Sequence, residues 1–180
     1  MKITTATKIT FIRIILIPFV MWFTSMGTGN DIYSILALVF FVIGSLTDWV
    51  DGYVARKFNQ ISTLGKFIDQ LADKAFITAV MIVFVWNHQM SFWLLAVIIF
   101  RDTAVSGIRM LAASKGKVIP ANYWGKTKTV IQMAYVIVIL ANNVFGIFQP
   151  MVIDILSWIT GIITVISGMT YFKGSGEYLE

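Results

Sequence analysis

The stretch from Ser45 to Lys74 gathers acidic groups into sequence that is otherwise apolar. Its first half carries Asp48, Asp51, Gly52, Ala55 and Arg56, and its second half carries Gly65, Asp69 and Asp73, with eight residues between Arg56 and Gly65. Spacings of three and four put each acidic pair on one face of a helix. In an antiparallel helical hairpin, Asp51 and Asp69 lie five and four residues from the loop ends, and Asp48 and Asp73 both lie eight. Four carboxylates therefore converge at matched depth, the deeper pair about 12 Å from the loop at about 1.5 Å of rise per residue. A lone charge in a bilayer interior costs at least about 2.5 kcal/mol, so the cluster requires compensation. One source is an ion-paired structural network with Arg56, Lys66 and Lys74. The other is metal: four aspartates with no softer donor form a hard, all-oxygen set suited to Mg²⁺ or Mn²⁺, and two such ions neutralise it.

The elements that position these groups follow from the hydropathy. The chain has 180 residues, 58% hydrophobic and 13% charged, with a mean hydropathy of +0.81. Apolar runs extend from Ile9 to Phe23, Ile32 to Val54, Phe67 to Trp86, Phe92 to Leu111, Trp124 to Phe148 and Met151 to Phe172. Runs of about 20 residues span a bilayer as helices. Continuous apolar character does not fit the alternating faces of a barrel. The expected fold is all-α, a polytopic membrane protein of six transmembrane helices. Residues 1–173 form one membrane domain and 174–180 a flexible tail. No cleavable signal is evident, and no internal repeat occurs.

Basic residues set the orientation. The connections Ser25 to Asp31, Asn87 to Ser91 and Ala141 to Pro150 contain no Lys or Arg. The 14 basic residues fall instead at the amino terminus, around the acidic hairpin, from Arg101 to Lys128, and at Lys173. The positive-inside rule then makes both termini and the hairpin loop cytoplasmic. Trp22, Trp86 and Trp93 mark the opposite interface. The net charge of +5 reads as topology plus attraction to anionic lipid and phosphate, not as nucleic-acid binding. The absence of cysteine excludes disulfides, thiolate metal sites and a cysteine nucleophile. The single histidine, His88, falls in an outer connection away from the acids and reads as a solvated loop residue.

Other polar residues each have a plain and a functional reading. Arg13 either snorkels to the interface or contacts a diphosphate. Gly52 either lets helices pack closely or leaves room for a nucleotide. Arg56 presents a planar fork suited to phosphate, and Ser62 offers a hydroxyl to the same group. Asp102, Ser106 and Arg109 share a helical face, where Asp102 pairs with Arg101 or Arg109 to fix packing. Lys115, Lys117, Lys126 and Lys128 either orient the chain or, with Arg109, cradle a phosphate.

The pattern D-x-x-D-G-x-x-A-R, eight residues, G-x-x-x-D-x-x-x-D, filled at Asp48, Asp51, Gly52, Ala55, Arg56, Gly65, Asp69 and Asp73, resembles the signature of the CDP-alcohol phosphotransferases, membrane enzymes of phospholipid synthesis. The resemblance implies a metal-dependent transferase that holds two ions on the four aspartates, with Asp73 also the base. It implies that Gly52 and Arg56 hold the cytidine diphosphate portion of CDP-diacylglycerol, and that the enzyme is a homodimer with a separate site in each subunit. The stretches Arg101 to Arg109 and Tyr123 to Thr129 resemble the branch that uses sn-glycerol 3-phosphate, although Asp102 stands where that branch suggests glutamate. Arg109, Lys126 and Lys128 are then the acceptor-phosphate residues, with Arg101 and Lys117 outside them. Inositol phosphate is the alternative acceptor. A six-span cation transporter that uses the same acids is the competing class; it is opposed by the clustering of all four at one side.

Overall fold

The computed structural model describes the backbone of residues 5–27, 29, 31–57, 63–117, 119 and 122–179, and the side chains of 10–27, 29, 31–47, 68, 71–117, 119 and 122–175. Six helices account for nearly all of this: α1 (Thr5–Met26), α2 (Ile32–Lys57), α3 (Thr63–Trp86), α4 (Phe92–Ser114), α5 (Tyr123–Phe145) and α6 (Pro150–Leu179). No strand occurs among the described residues. Each helix covers one of the apolar runs, so the all-α expectation holds.

Local chemistry sets the helix ends. Asp31 caps α2, its Oδ1 accepting the Ser34 amide at 2.8 Å, and Asn122 caps α5, its Oδ1 accepting the Gly125 amide at 2.7 Å. α4 ends in a Schellman motif: Gly116, at φ +73°, donates to the Ala113 carbonyl and Lys117 to that of Ala112. The same motif closes α3, with His88 at φ +57° in the left-handed position usually held by glycine. The lone histidine thus terminates a helix. At the other end of the chain α6 continues to Leu179, through the stretch that composition reads as a tail, since no proline after Lys173 interrupts the hydrogen-bond ladder.

The chain divides into two compact units. The first comprises residues 1–89 and 140–147, where α1 packs on both α2 and α3. Its interior contains Val20, Phe41, Phe76, Met81 and Phe84. The rings of Phe41 and Phe76 stack with centroids 5.4 Å apart. Gly44 lies directly against the Phe76 ring, and a Cβ built there comes within 2.7 Å of Phe76 Cε2. Only a residue without a side chain permits this crossing of α2 and α3. Gly44→Ala is accordingly expected to destabilise the protein by about 1–3 kcal/mol through overpacking. Melting in detergent measures this, and Phe76→Leu in the same chain should restore part of the loss.

The second unit comprises residues 90–139 and 148–180, where α4 packs on α6. Small residues of α6 allow the approach: Gly161 meets Leu94 and Gly168 meets the Arg101 stem, each at 3.3 Å from the position a Cβ would take. Thr160 and Thr164 are buried beside them and return their hydroxyls to the carbonyls of Leu156 and Thr160, so neither hydroxyl is stranded.

The exterior is apolar. Trp86, Trp93, Phe100 and Trp158 are each more than 70% exposed, a surface suited to lipid rather than water. By length and composition, two described helices are fit to cross a bilayer, Tyr123–Phe145 and Pro150–Ser175; Thr10–Met26 and Ile32–Thr47 are shorter apolar segments. α2, α3 and α4 carry charges within their length, at Asp48 and Asp51, at Lys66, Asp69, Asp73 and Lys74, and at Arg101, Asp102 and Arg109.

Candidate functional site

The acidic hairpin consists of the second half of α2 and the first half of α3. The connection between them, residues 58–62, is too short to return the chain along a 26-residue helix, because an extended chain covers at most about 3.6 Å per residue. The two helices therefore run antiparallel, and the contact of Gly44 with Phe76 fixes their register. Seven residues from that contact on each helix are Asp51 and Asp69; four residues along α2 is Asp48, and three residues back along α3 is Asp73. At about 1.5 Å per residue, the backbone positions of each pair lie at nearly the same level. Asp73 is half-buried. The side chains of Asp48, Asp51, Arg56 and Asp69 lie outside the described residues, as does Ser62, and Gly52 is described only as a backbone position of α2.

Arg13 of α1 stands one helical turn from this level. It is 1% exposed, and its Nε donates to the carbonyl of Gly44 at 3.3 Å. The side chain is therefore held inside the first unit and does not snorkel outward. The same carbonyl accepts the Thr47 hydroxyl at 2.7 Å, tying the start of the acidic face to α1 and to its own helix.

The second unit contains a separate, cationic cluster. Asp102 of α4 accepts Lys128 Nζ of α5 on both carboxylate oxygens, at 2.8 and 2.7 Å, and accepts Arg101 Nη1 at 3.0 Å. Of the two pairings open to Asp102 in the sequence, the one with Arg101 forms; the second cation is Lys128, not Arg109. Lys128 is only 3% exposed, so the pair is a desolvated one. Arg101 continues to α6, where Nη2 donates to Ser167 Oγ at 2.5 Å.

Arg109, two turns along the same face of α4, turns instead to Tyr171 of α6. Its Nε donates to the Tyr171 hydroxyl at 2.6 Å, and its Cζ lies 5.1 Å from the ring centroid. Arg101 Cζ lies 5.9 Å from the same centroid. The α5 cap joins in, since Asn122 Nδ2 donates to Thr170 at 3.2 Å. Lys126 is exposed. Of the three acceptor-phosphate candidates, Arg109 and Lys128 thus belong to one network and Lys126 stands outside it. Tyr171, Ser167 and Asn122 were not singled out by spacing, because an isolated hydroxyl or amide in an apolar run has no periodic partner.

Residues 3–169 match the CDP-alcohol phosphatidyltransferase family. The chain belongs to that family. Such a phosphatidyltransferase is an enzyme, which sets aside the cation-transporter alternative. Its relatives include the CDP-diacylglycerol–glycerol-3-phosphate 3-phosphatidyltransferase of Bacillus subtilis, 38% identical over 96% of this chain and 95% of the relative. The proteins of the same name from Rickettsia felis and Haemophilus influenzae are 34% and 33% identical, over 94% and 100% of this chain and 94% and 98% of the relatives. The match covers both the acidic hairpin and the Arg101 to Lys128 segment, so the two clusters of this phosphatidyltransferase fall within its family region.

Proposed function

We propose that this phosphatidyltransferase transfers the phosphatidyl group of CDP-diacylglycerol to sn-glycerol 3-phosphate, giving phosphatidylglycerophosphate and CMP. The observation that carries the reading is that the acidic hairpin and the Arg109 network occur in one chain whose full-length relatives bear that activity as their name. A phosphorylated acceptor brings a dianion toward a diphosphate, and fixed cations must offset the repulsion. Arg109 is suited to this: among the described residues, only its Nε has a protein partner, which leaves both terminal nitrogens for a bidentate phosphate contact.

The donor set of the hairpin fits two Mg²⁺ or Mn²⁺ ions. It has four aspartates at nearly matched backbone levels and no sulfur, and the chain's one imidazole, His88, lies at the opposite end of α3. Asp48, Asp51, Asp69 and Asp73 would hold them. Bound there, such ions neutralise diphosphate charge and improve the leaving group. The protein supplies the rest. Gly52 gives the cytidine diphosphate close access to α2, Arg56 and Ser62 bind its phosphates, and Arg13 adds buried positive charge on the same side. Asp73 accepts the proton of the acceptor hydroxyl, whose oxygen bonds to the phosphorus bearing diacylglycerol as the bond to CMP breaks. An alcohol needs such a base because it is a poor nucleophile until its proton is taken.

We further propose that all six helices lie in the membrane, with both termini and the hairpin loop cytoplasmic in accord with the distribution of basic residues, and that the enzyme is a homodimer. Charges on α2, α3 and α4 are tolerated where they face protein or a polar cavity.

The function is tested by offering the purified enzyme each alcohol separately with radiolabelled CDP-diacylglycerol. The expected result is CMP release with glycerol 3-phosphate well above that with inositol phosphate, inositol, serine or glycerol. Faster use of inositol phosphate or free glycerol refutes the acceptor assignment. Arg109→Ala should raise the KM for glycerol 3-phosphate by roughly 10- to 100-fold, the worth of a charged hydrogen-bond pair, and leave the donor KM nearly unchanged.

A further inference from the structure

We infer that Tyr171 is a positioning residue for the acceptor's phosphate, acting through Arg109; the inference rests on the proposed role of Arg109. Tyr171 lies beyond the residues matched to the family, which end at 169, so the family match does not cover it. Its side chain is 3% exposed and is not placed to meet a substrate directly. It meets two cations instead. The Arg101 and Arg109 guanidinium carbons lie 5.9 and 5.1 Å from the ring centroid, within the range of cation–π attraction. The hydroxyl takes Arg109 Nε at 2.6 Å.

The two arginines differ in what remains of them. Arg101 is committed, with Nη1 on Asp102 and Nη2 on Ser167, and its stem is wedged against Gly168. Arg109 has only Tyr171 among the described residues. An arginine on a flexible stem carries about 2 kcal/mol of rotamer entropy, and a site that must order it on binding loses that from affinity. The Tyr171 ring and hydroxyl fix the plane of the guanidinium and occupy its inner nitrogen. The outer pair, Nη1 and Nη2, is then held ready for two phosphate oxygens. Among the described residues Arg109, unlike Arg101, has no carboxylate partner, which preserves its positive charge for a dianion.

The test compares wild type, Tyr171→Phe, Tyr171→Leu and Arg109→Ala, as purified full-length enzyme, in KM for each substrate, kcat, melting temperature, and competitive inhibition by inorganic phosphate. Tyr171→Phe keeps the ring and removes the bond to Nε. It is expected to raise the KM for glycerol 3-phosphate and the inhibition constant of phosphate by the same factor, roughly tenfold for one charged hydrogen bond. Its kcat and donor KM should stay within about twofold. Tyr171→Leu, if it folds, should exceed that factor. If Arg109→Ala raises the acceptor KM and Tyr171→Phe does not, Tyr171 has no positioning role. Equal losses in both substrates' KM and in kcat, with a lowered melting temperature, show a merely structural residue and overturn the inference. If Arg109→Ala itself leaves the acceptor KM unchanged, the acceptor-phosphate reading fails and takes the inference with it.

Discussion

Replacing Asp48, Asp51, Asp69 or Asp73 singly with alanine is expected to lower turnover at saturating substrates by at least about a thousandfold, because each removal misplaces an ion that the remaining ligands cannot hold. Folding should survive. The contacts that set the register of α2 on α3 are apolar, at Phe41, Gly44 and Phe76, and removing one of four like charges relieves repulsion. The melting temperature in detergent without metal should therefore be unchanged or raised, and CMP release lost. EDTA should abolish activity in the wild type, and added Mg²⁺ or Mn²⁺ should restore it. Asp73→Asn is informative beside Asp73→Ala, since it retains an oxygen donor but not the base, and it should be as inactive. Near-normal turnover in Asp48→Ala or Asp69→Ala would rule out the two-ion arrangement.

The register behind this prediction was legible from sequence because it depends on counting. Spacings of three and four are imposed by helical geometry, and a connection of a few residues forces an antiparallel return. The structure adds an independent mark, the Gly44 contact with Phe76, from which Asp51 and Asp69 both lie seven residues and Asp48 and Asp73 lie four and three. Helix number and type were legible for the same reason, since six long apolar runs have few other options in a bilayer.

Partner choice was not legible. The face shared by Asp102, Ser106 and Arg109 allowed a pair within α4, yet the carboxylate is shared by Arg101 and by Lys128 of the next helix. A lysine on α5 and a carboxylate on α4 are 26 residues apart, and no periodicity connects them. Arg109 found its partner further still, at Tyr171. A single tyrosine in an apolar run reads as interfacial until a tertiary contact shows its hydroxyl turned inward. The extent of α6, to Leu179, is hard to read from composition for a related reason. Glycine and serine are common in tails, but they also permit a helix to continue where nothing stops it.

The same ion network makes Asp102→Ala the substitution with the largest expected cost in stability. Lys128 is 3% exposed, and Asp102 is its carboxylate partner, bound through both oxygens at 2.8 and 2.7 Å. Removing the carboxylate takes from a buried ammonium its two hydrogen bonds to Asp102 and from Arg101 one of its two hydrogen-bonded acceptors. Breaking a buried pair in this way costs about 3–5 kcal/mol, because the remaining charge retains its desolvation penalty and loses the attraction that offset it. The expected result is poor recovery of folded protein and a sharply lowered melting temperature in detergent. Removing both charges should cost far less than removing one. Asp102→Ala combined with Lys128→Met is expected to regain most of the loss, with an interaction energy well above the few tenths of a kcal/mol found between independent sites. Asp102→Glu preserves the charge and should fold. If Asp102→Ala melts within about a degree of the wild type, the pair does not support the packing of α4 on its neighbours, and if the double variant is no better than the single one, the loss comes from Arg101 rather than from Lys128.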